Sequence, residues 1–220
     1  MEMEQTPKLY GPAQDAASGQ TKKLVILLHG LGSNGYDLFG LVPELAPALP
    51  DVAFASPHAP FPCDMAPVGH QWFSLRSREE TALRMGAEQA EPILNSYIDA
   101  QIEQHKLQPK DVALLGFSQG TMTSLFVALR RAEPLAGIVG FSGAMISAAK
   151  LPKEIKAKPP ICLIHGEQDD VVPFTAMEIA ERSLQAAGVS VETHPRPQLA
   201  HSIDREGLDA AIDFLKRVLG

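Results

Sequence analysis

Apolar runs of four or five residues recur along this chain and alternate with longer stretches of helical spacing. Leu24 to Leu28, Val52 to Ala55, Val112 to Leu115, Ile138 to Phe141 and Ile161 to Ile164 are such runs. Continuous apolar character is what a strand covered on both faces requires. Val189, Val191 and Thr193 alternate as a further strand, and Leu9 to Pro12 suits an edge strand. Leu41, Leu45 and Leu49 share one face of a helix predicted over 38–49, which Pro50 stops. Leu83, Ala87, Ala90, Leu94, Ile98 and Ile102 predict a helix across Glu79 to His105, with Pro92 expected to kink or divide it. Further helices are marked by Met122, Leu125, Phe126 and Leu129, by Phe174 to Ala187 with Gly188 as its stop, and by Leu208, Ile212, Leu215 and Leu219. Strand and helix in alternation predict an α/β fold, a mainly parallel central sheet with helices on both faces. No repeat or long linker divides the chain, so a single domain is expected over residues 9–220, behind a flexible start at residues 1–8.

Composition narrows the function classes. At 220 residues, with 45% hydrophobic and 20% charged, the chain can bury a sizeable core. A formal charge of −7 and the lack of any Lys/Arg cluster argue against a nucleic-acid partner and offer nothing to an anionic membrane. No stretch is long enough to span a bilayer, and the polar N-terminus lacks the pattern of a secretory signal, so a cytoplasmic location is expected. Cys63 and Cys162 sit in different contexts and are expected to be free thiols; neither has metal-ligand spacing. No metal and no cofactor are expected.

In a parallel sheet, ligands collect beyond the carboxyl ends of the strands. Gly116-Phe-Ser-Gln-Gly120 follows one strand and opens a helix, the arrangement that lifts a serine oxygen above a sheet. The flanking glycines are needed because a Cβ at either would collide where strand and helix pass. His165-Gly-Glu-Gln-Asp-Asp-Val-Val-Pro173 follows another strand, and His201 precedes the last helix. A serine hydroxyl becomes a strong nucleophile only beside an imidazole, which a carboxylate orients. Ser118, Asp169 and His201 stand in the Ser…Asp…His order of this strand–turn–helix arrangement. Asp169 is preferred to Asp170, because the turn after Gly166 should direct the third residue inward with Val171 to Pro173 packed behind. Among the seven histidines, His29 and His165 precede glycines and are expected to bond loop backbone. Ser142 also ends a strand but lacks the elbow spacing.

Acyl transfer needs donors for the developing oxyanion. The N–H groups of Gln119 and of Leu31, in the glycine-rich loop His29 to Gly35, are the candidates. Replacing their side chains is expected to be mild. That loop lacks the Gly-Lys-Ser/Thr and G-x-G-x-x-G patterns of phosphate binders. The irregular segment Ser56 to Ser74, with four prolines and the only tryptophan, Trp72, suits a cover over a site.

Leu28-His-Gly-Leu-Gly, Trp72-Phe-Ser74, Gly116-Phe-Ser-Gln-Gly, Phe141-Ser-Gly, His165-Gly-x-x-Asp-x-Val-Val-Pro173 and His201 together resemble the phospholipase/carboxylesterase family. This is the bacterial branch of the α/β-hydrolases that includes the acyl-protein thioesterases, and the resemblance runs from about Leu9 to the C-terminus. It implies a serine carboxylesterase acting on short- to medium-chain acyl esters, with thioester or lysophospholipid hydrolysis by the same residues as the alternative. A small-molecule or lipid acyl ester would be the substrate, without a cofactor, in an enzyme that is often a homodimer. The resemblance also places Leu31 and Trp72 near the wall of the acyl pocket. Residues 57–69 depart from the matching loop of the eukaryotic thioesterases, which sets ester hydrolysis ahead of protein depalmitoylation. A hydrolase fold that only binds ligands is the contrasting class; the intact Ser, Asp, His and both glycine loops weigh against it.

Overall fold

The computed structural model describes residues 7–220. The expectation of a flexible start falls, for residues 1–6, outside the described residues. Strands β1 (Ala13–Gln14), β2 (Lys23–Leu28), β3 (Val52–Ala55), β6 (Val112–Phe117), β7 (Gly137–Phe141), β8 (Ile161–Gly166) and β9 (Val191–Arg196) form one sheet in the order β1-β3-β2-β6-β7-β8-β9. Every neighbouring pair is parallel except β1 with β3, so the sheet is mainly parallel as its apolar runs predict. Two short strands, β4 (Phe61–Pro62) and β5 (His70–Gln71), pair antiparallel in a separate ribbon.

Alternate residues of each strand feed two cores. Leu24, Ile26 and Leu28 of β2 join Val112 and Leu114 of β6 on one face. There they meet α3 (Glu80–His105), α4 (Gln119–Ala128) and α6 (Thr175–Ala186) through residues such as Leu94, Leu125 and Leu184. Val25 and Leu27 join Ala113 and Leu115 on the other face. That face is covered by α1 (Gly35–Phe39), α2 (Val42–Leu45) and α7 (Arg205–Leu219), through Leu38, Leu45 and Leu215. The fold is that of the α/β-hydrolases, with helices on both faces. A short helix, α5 (Leu151–Glu154), lies between β7 and β8.

Three expectations are corrected. The helix foreseen over 38–49 is α1, α2 and a 3-10 turn at Ala46–Ala48. Gly40 closes α1 with its N–H on Asp37 O, and Pro43 and Pro47 lack the N–H groups a continuous helix would use. Pro92 does not divide α3, which runs unbroken for 26 residues. The proline is exposed, so the Glu88 carbonyl it leaves free faces the solvent side, while Ala87, Ala90, Ile93, Leu94 and Ile98 anchor both halves to the core. The edge strand falls at Ala13–Gln14 rather than Leu9–Pro12. Tyr10 and Pro12 still accept from His58 and Ser56 N–H at 2.8 and 2.9 Å, but Pro12 has no N–H to return.

Candidate active site

Strand β6 meets α4 at so sharp a turn that Ser118 adopts φ 54° and ψ −115°, a backbone region that costs a non-glycine residue roughly 1–3 kcal/mol. The cost is held in place by contacts on both sides. A Cβ on Gly116 would lie 2.5 Å from Thr121 N, and one on Gly120 would lie 1.8 Å from Leu28 O. Ser118 N–H donates to Phe141 O at 2.9 Å, and Thr121 Oγ lies 2.8 Å from both Gly116 O and Phe141 O. The elbow geometry read from the pentapeptide is therefore present. Ser142, the other strand-end serine, is buried with no partner for its Oγ among the described residues and does not line the cavity that Ser118 lines.

Asp169 is buried and Asp170 is exposed, as the turn after Gly166 predicts. His201 Nδ1 donates to Asp169 Oδ2 at 2.7 Å, while Oδ1 accepts the backbone N–H groups of Val171 and Val172 at 3.0 and 2.8 Å. Burial pushes the Asp169 carboxyl pKa up, but these donors outweigh it and hold the group below its ordinary value. The two loops are stitched together by Gln168 N–H on Leu199 O and Glu167 N–H on Arg196 O, both at 3.0 Å. Gly166 permits this approach, since a Cβ there would stand 2.2 Å from Leu199 O. Asp204 caps α7 through Gly207 N–H and takes Arg196 Nε at 3.0 Å, which fixes the far end of the His201 loop. The Phe117 ring packs against His201 with centroids 4.8 Å apart.

His165 Nε2 donates to Val172 O at 2.8 Å and lies 3.3 Å from Asp169 Oδ2. It bonds loop backbone as expected, and it also steadies the aspartate turn, which its place in the sequence does not signal. Val171, Val172 and Pro173 do not pack behind Asp169. They line the cavity, with Val171 exposed.

On the other side stands the His29 loop. His29 is fully buried, its Nδ1–H on Gly30 O at 2.7 Å and its Nε2 accepting Ala59 N–H at 2.9 Å. Burial lowers its pKa to about 4, so the ring is neutral at ordinary pH. The β4–β5 ribbon is laced to this loop by Gly32 N–H on His70 O at 2.9 Å and His70 N–H on Ser33 O at 2.7 Å. Neither Leu31 N–H nor Gln119 N–H has a backbone acceptor among the described residues, and Gln119 is the first residue of α4, where the helix leaves its N–H groups free.

Two expectations change here. Trp72 is not a wall residue. It is fully buried in the core, its Nε1–H on His29 O at 3.0 Å, because an indole with a satisfied N–H gains most by complete burial. Gln119 offers more than a backbone N–H. Its side chain is fully buried, accepts Trp72 N–H at 2.9 Å and donates to Phe73 O at 2.7 Å. A lone buried glutamine has no periodic signature, so nothing but its fixed place in the pentapeptide could have flagged it.

Ser118 and His201 line one cavity of about 440 Å³, together with Leu31. Its walls are mainly apolar, with Leu75, Leu83, Met122, Ala144, Val171 and Pro173 among them. From the proline-rich segment only Met65 reaches it. No hydrogen bond joins Ser118 Oγ to His201 among the described residues; such contacts commonly tighten only around substrate. A hollow of about 550 Å³ at the end of α3, lined by Asp99, Lys106 and Arg131 among others, holds none of these residues. Cys63 and Cys162 are free. Among the described residues one group, Cys162, Glu192 and His194, has donor atoms within 4.8 Å of one another. Glu192 already accepts Arg217 at 2.6 Å, and burial pushes the Cys162 thiol up, so the set does not present a ready metal site. No helix among the described residues is long and apolar enough to cross a membrane.

Residues 13–219 match the model of the family described as phospholipase/carboxylesterase. The crystal structure of esterase PE8 is 42% identical, aligns over 96% of this chain and 100% of its own, and has a TM-score of 0.92. Esterase YpfH of Escherichia coli is 28% identical over 197 residues, 89% of this chain and 82% of its own. Acyl-protein thioesterase 1 of Gibberella zeae is 26% identical over 224 residues, 92% of this chain and 93% of its own.

Gln119→Ala keeps the backbone N–H but strands Trp72 N–H and Phe73 O inside the protein. It is expected to lower the unfolding free energy by about 1–3 kcal/mol in urea and to red-shift the emission of Trp72. His29 adds a pH dependence. Its folded pKa lies below the unfolded value of 6.5, so its contribution is complete above 6.5 and is lost as pH falls towards about 4. The loss across that window is expected to be roughly 3 kcal/mol, and His29→Gln, which cannot titrate, should flatten it in urea melts taken at stepped pH.

Proposed function

This chain belongs to the phospholipase/carboxylesterase family and is a carboxylic ester hydrolase; from that premise we propose that it is a serine esterase working through Ser118, His201 and Asp169. The observation that carries the proposal is one cavity that exposes Ser118 and His201 together, with His201 Nδ1 on a buried carboxylate at 2.7 Å. In this reading Ser118 Oγ attacks the ester carbonyl as His201 Nε2 takes its proton. Asp169 fixes the tautomer that leaves Nε2 free to do so, and it stabilises the imidazolium that forms. The oxyanion is received by Leu31 and Gln119 N–H, donors without backbone acceptors among the described residues. His201 then protonates the departing alkoxide, and water repeats the attack on the acyl-enzyme.

The walls favour short- to medium-chain acyl groups, since the cavity is apolar and of the size that encloses small ligands. Thioester hydrolysis by the same residues is the second reading, supported by relatives named acyl-protein thioesterase 1. The two free thiols fit a reducing cytoplasm.

Rates on p-nitrophenyl esters of rising chain length, set against matched acyl-thioesters, test both readings. Ser118→Ala is expected to lower kcat by about 10⁶-fold and Asp169→Asn by about 10⁴-fold. A Ser118→Ala protein with wild-type turnover would remove Ser118 from the mechanism.

A further inference from the structure

The cavity is apolar except at three places beyond the candidate catalytic pair: Ser33, Asp37 and Arg78. Asp37 is engaged, its Oδ2 accepting Ser33 Oγ–H at 2.7 Å. Arg78 is not. It is exposed and forms no ion pair or side-chain hydrogen bond with any described residue. Its near neighbour Arg76 shows the contrast, since that guanidinium is held by Asp64. A guanidinium offers five donors in a planar fork matched to a carboxylate. Here that fork stands on the wall of the cavity that holds Ser118, in a protein of net charge −7 that otherwise repels anions.

We propose that Arg78 makes this cavity selective for esters that carry a free carboxylate, such as monoesters of dicarboxylic acids; the inference rests on the esterase reading above. The methylenes of such a substrate lie along Leu75, Leu83 and Met122, and its carboxylate meets Arg78. Asp37 sharpens the preference by repelling the carboxylate from its own part of the wall, so one orientation is favoured. The carboxylate is ionised at neutral pH. Because Arg78 is exposed, its contribution is that of a solvent-screened pair, and it weakens in salt.

Monoethyl adipate and ethyl hexanoate have the same acyl length and differ only in the terminal carboxylate. The measured quantity is the ratio of their kcat/KM values, in wild type, Arg78→Gln and Arg78→Lys. The ratio is expected to fall about five-fold in Arg78→Gln and to recover in part in Arg78→Lys. Raised salt should lower the wild-type ratio and should not lower that of Arg78→Gln, where only repulsion from Asp37 and the net charge is left to screen. An equal ratio in wild type and Arg78→Gln, with both esters still hydrolysed, would overturn the selectivity and leave the esterase reading standing. Hydrolysis of neither ester by the wild-type protein would overturn the esterase reading and this inference with it.

Discussion

Helix α4 runs so close to the ends of β2 and β6 that no side chain fits at two points, Gly120 in its own first turn and Gly116 on β6. The Leu28 carbonyl occupies the space a Cβ on Gly120 would need, and Thr121 N occupies that of Gly116. This approach forces Ser118 into its strained backbone, and it brings the first turn of α4 against the loop that follows β2. The candidate nucleophile and the candidate oxyanion donors thereby share one location. The strain is offset by core burial around it: all ten residues of α4 are buried. Rigid surroundings of that kind are what allow a backbone cost to persist at a site.

A second constraint is polar and lies beneath the first. His29, Trp72 and Gln119 form a buried set in which each donor or acceptor named above has its partner. Together they tie the His29–Leu31 loop, the Trp72–Phe73 stretch and the start of α4 into one body. Such networks are costly when half satisfied and stiff when complete. The aspartate and histidine loops are joined by backbone bonds instead, through Gly166 and Arg196. The site thus rests on two separate braces, one for the serine side and one for the histidine side.

How much of this the sequence revealed depends on the range of the interaction. Apolar runs report burial on both faces directly, so the parallel sheet was legible from residues such as Leu24 to Leu28. Glycines at steric contacts and the order of Ser118, Asp169 and His201 were legible because turn chemistry is local. Trp72 and the Gln119 side chain were misjudged because their partners lie 43 and 46 or 47 residues away, a distance no local pattern encodes. Pro92 misled in the opposite sense: local propensity argued for a break, and tertiary packing on both sides of it prevailed. The composition of the cavity wall, with Arg78 on it, depends on where stretches far apart in the sequence, from Gly30 to His201, meet.

The central claim is that Ser118 is the nucleophile and that His201 activates it. Peptide mapping by mass spectrometry after treatment with a fluorophosphonate tests this most directly. A single adduct on Ser118, lost when His201 is replaced by Ala, is the result expected. An unmodified Ser118, or an adduct on Ser142 instead, would contradict the account.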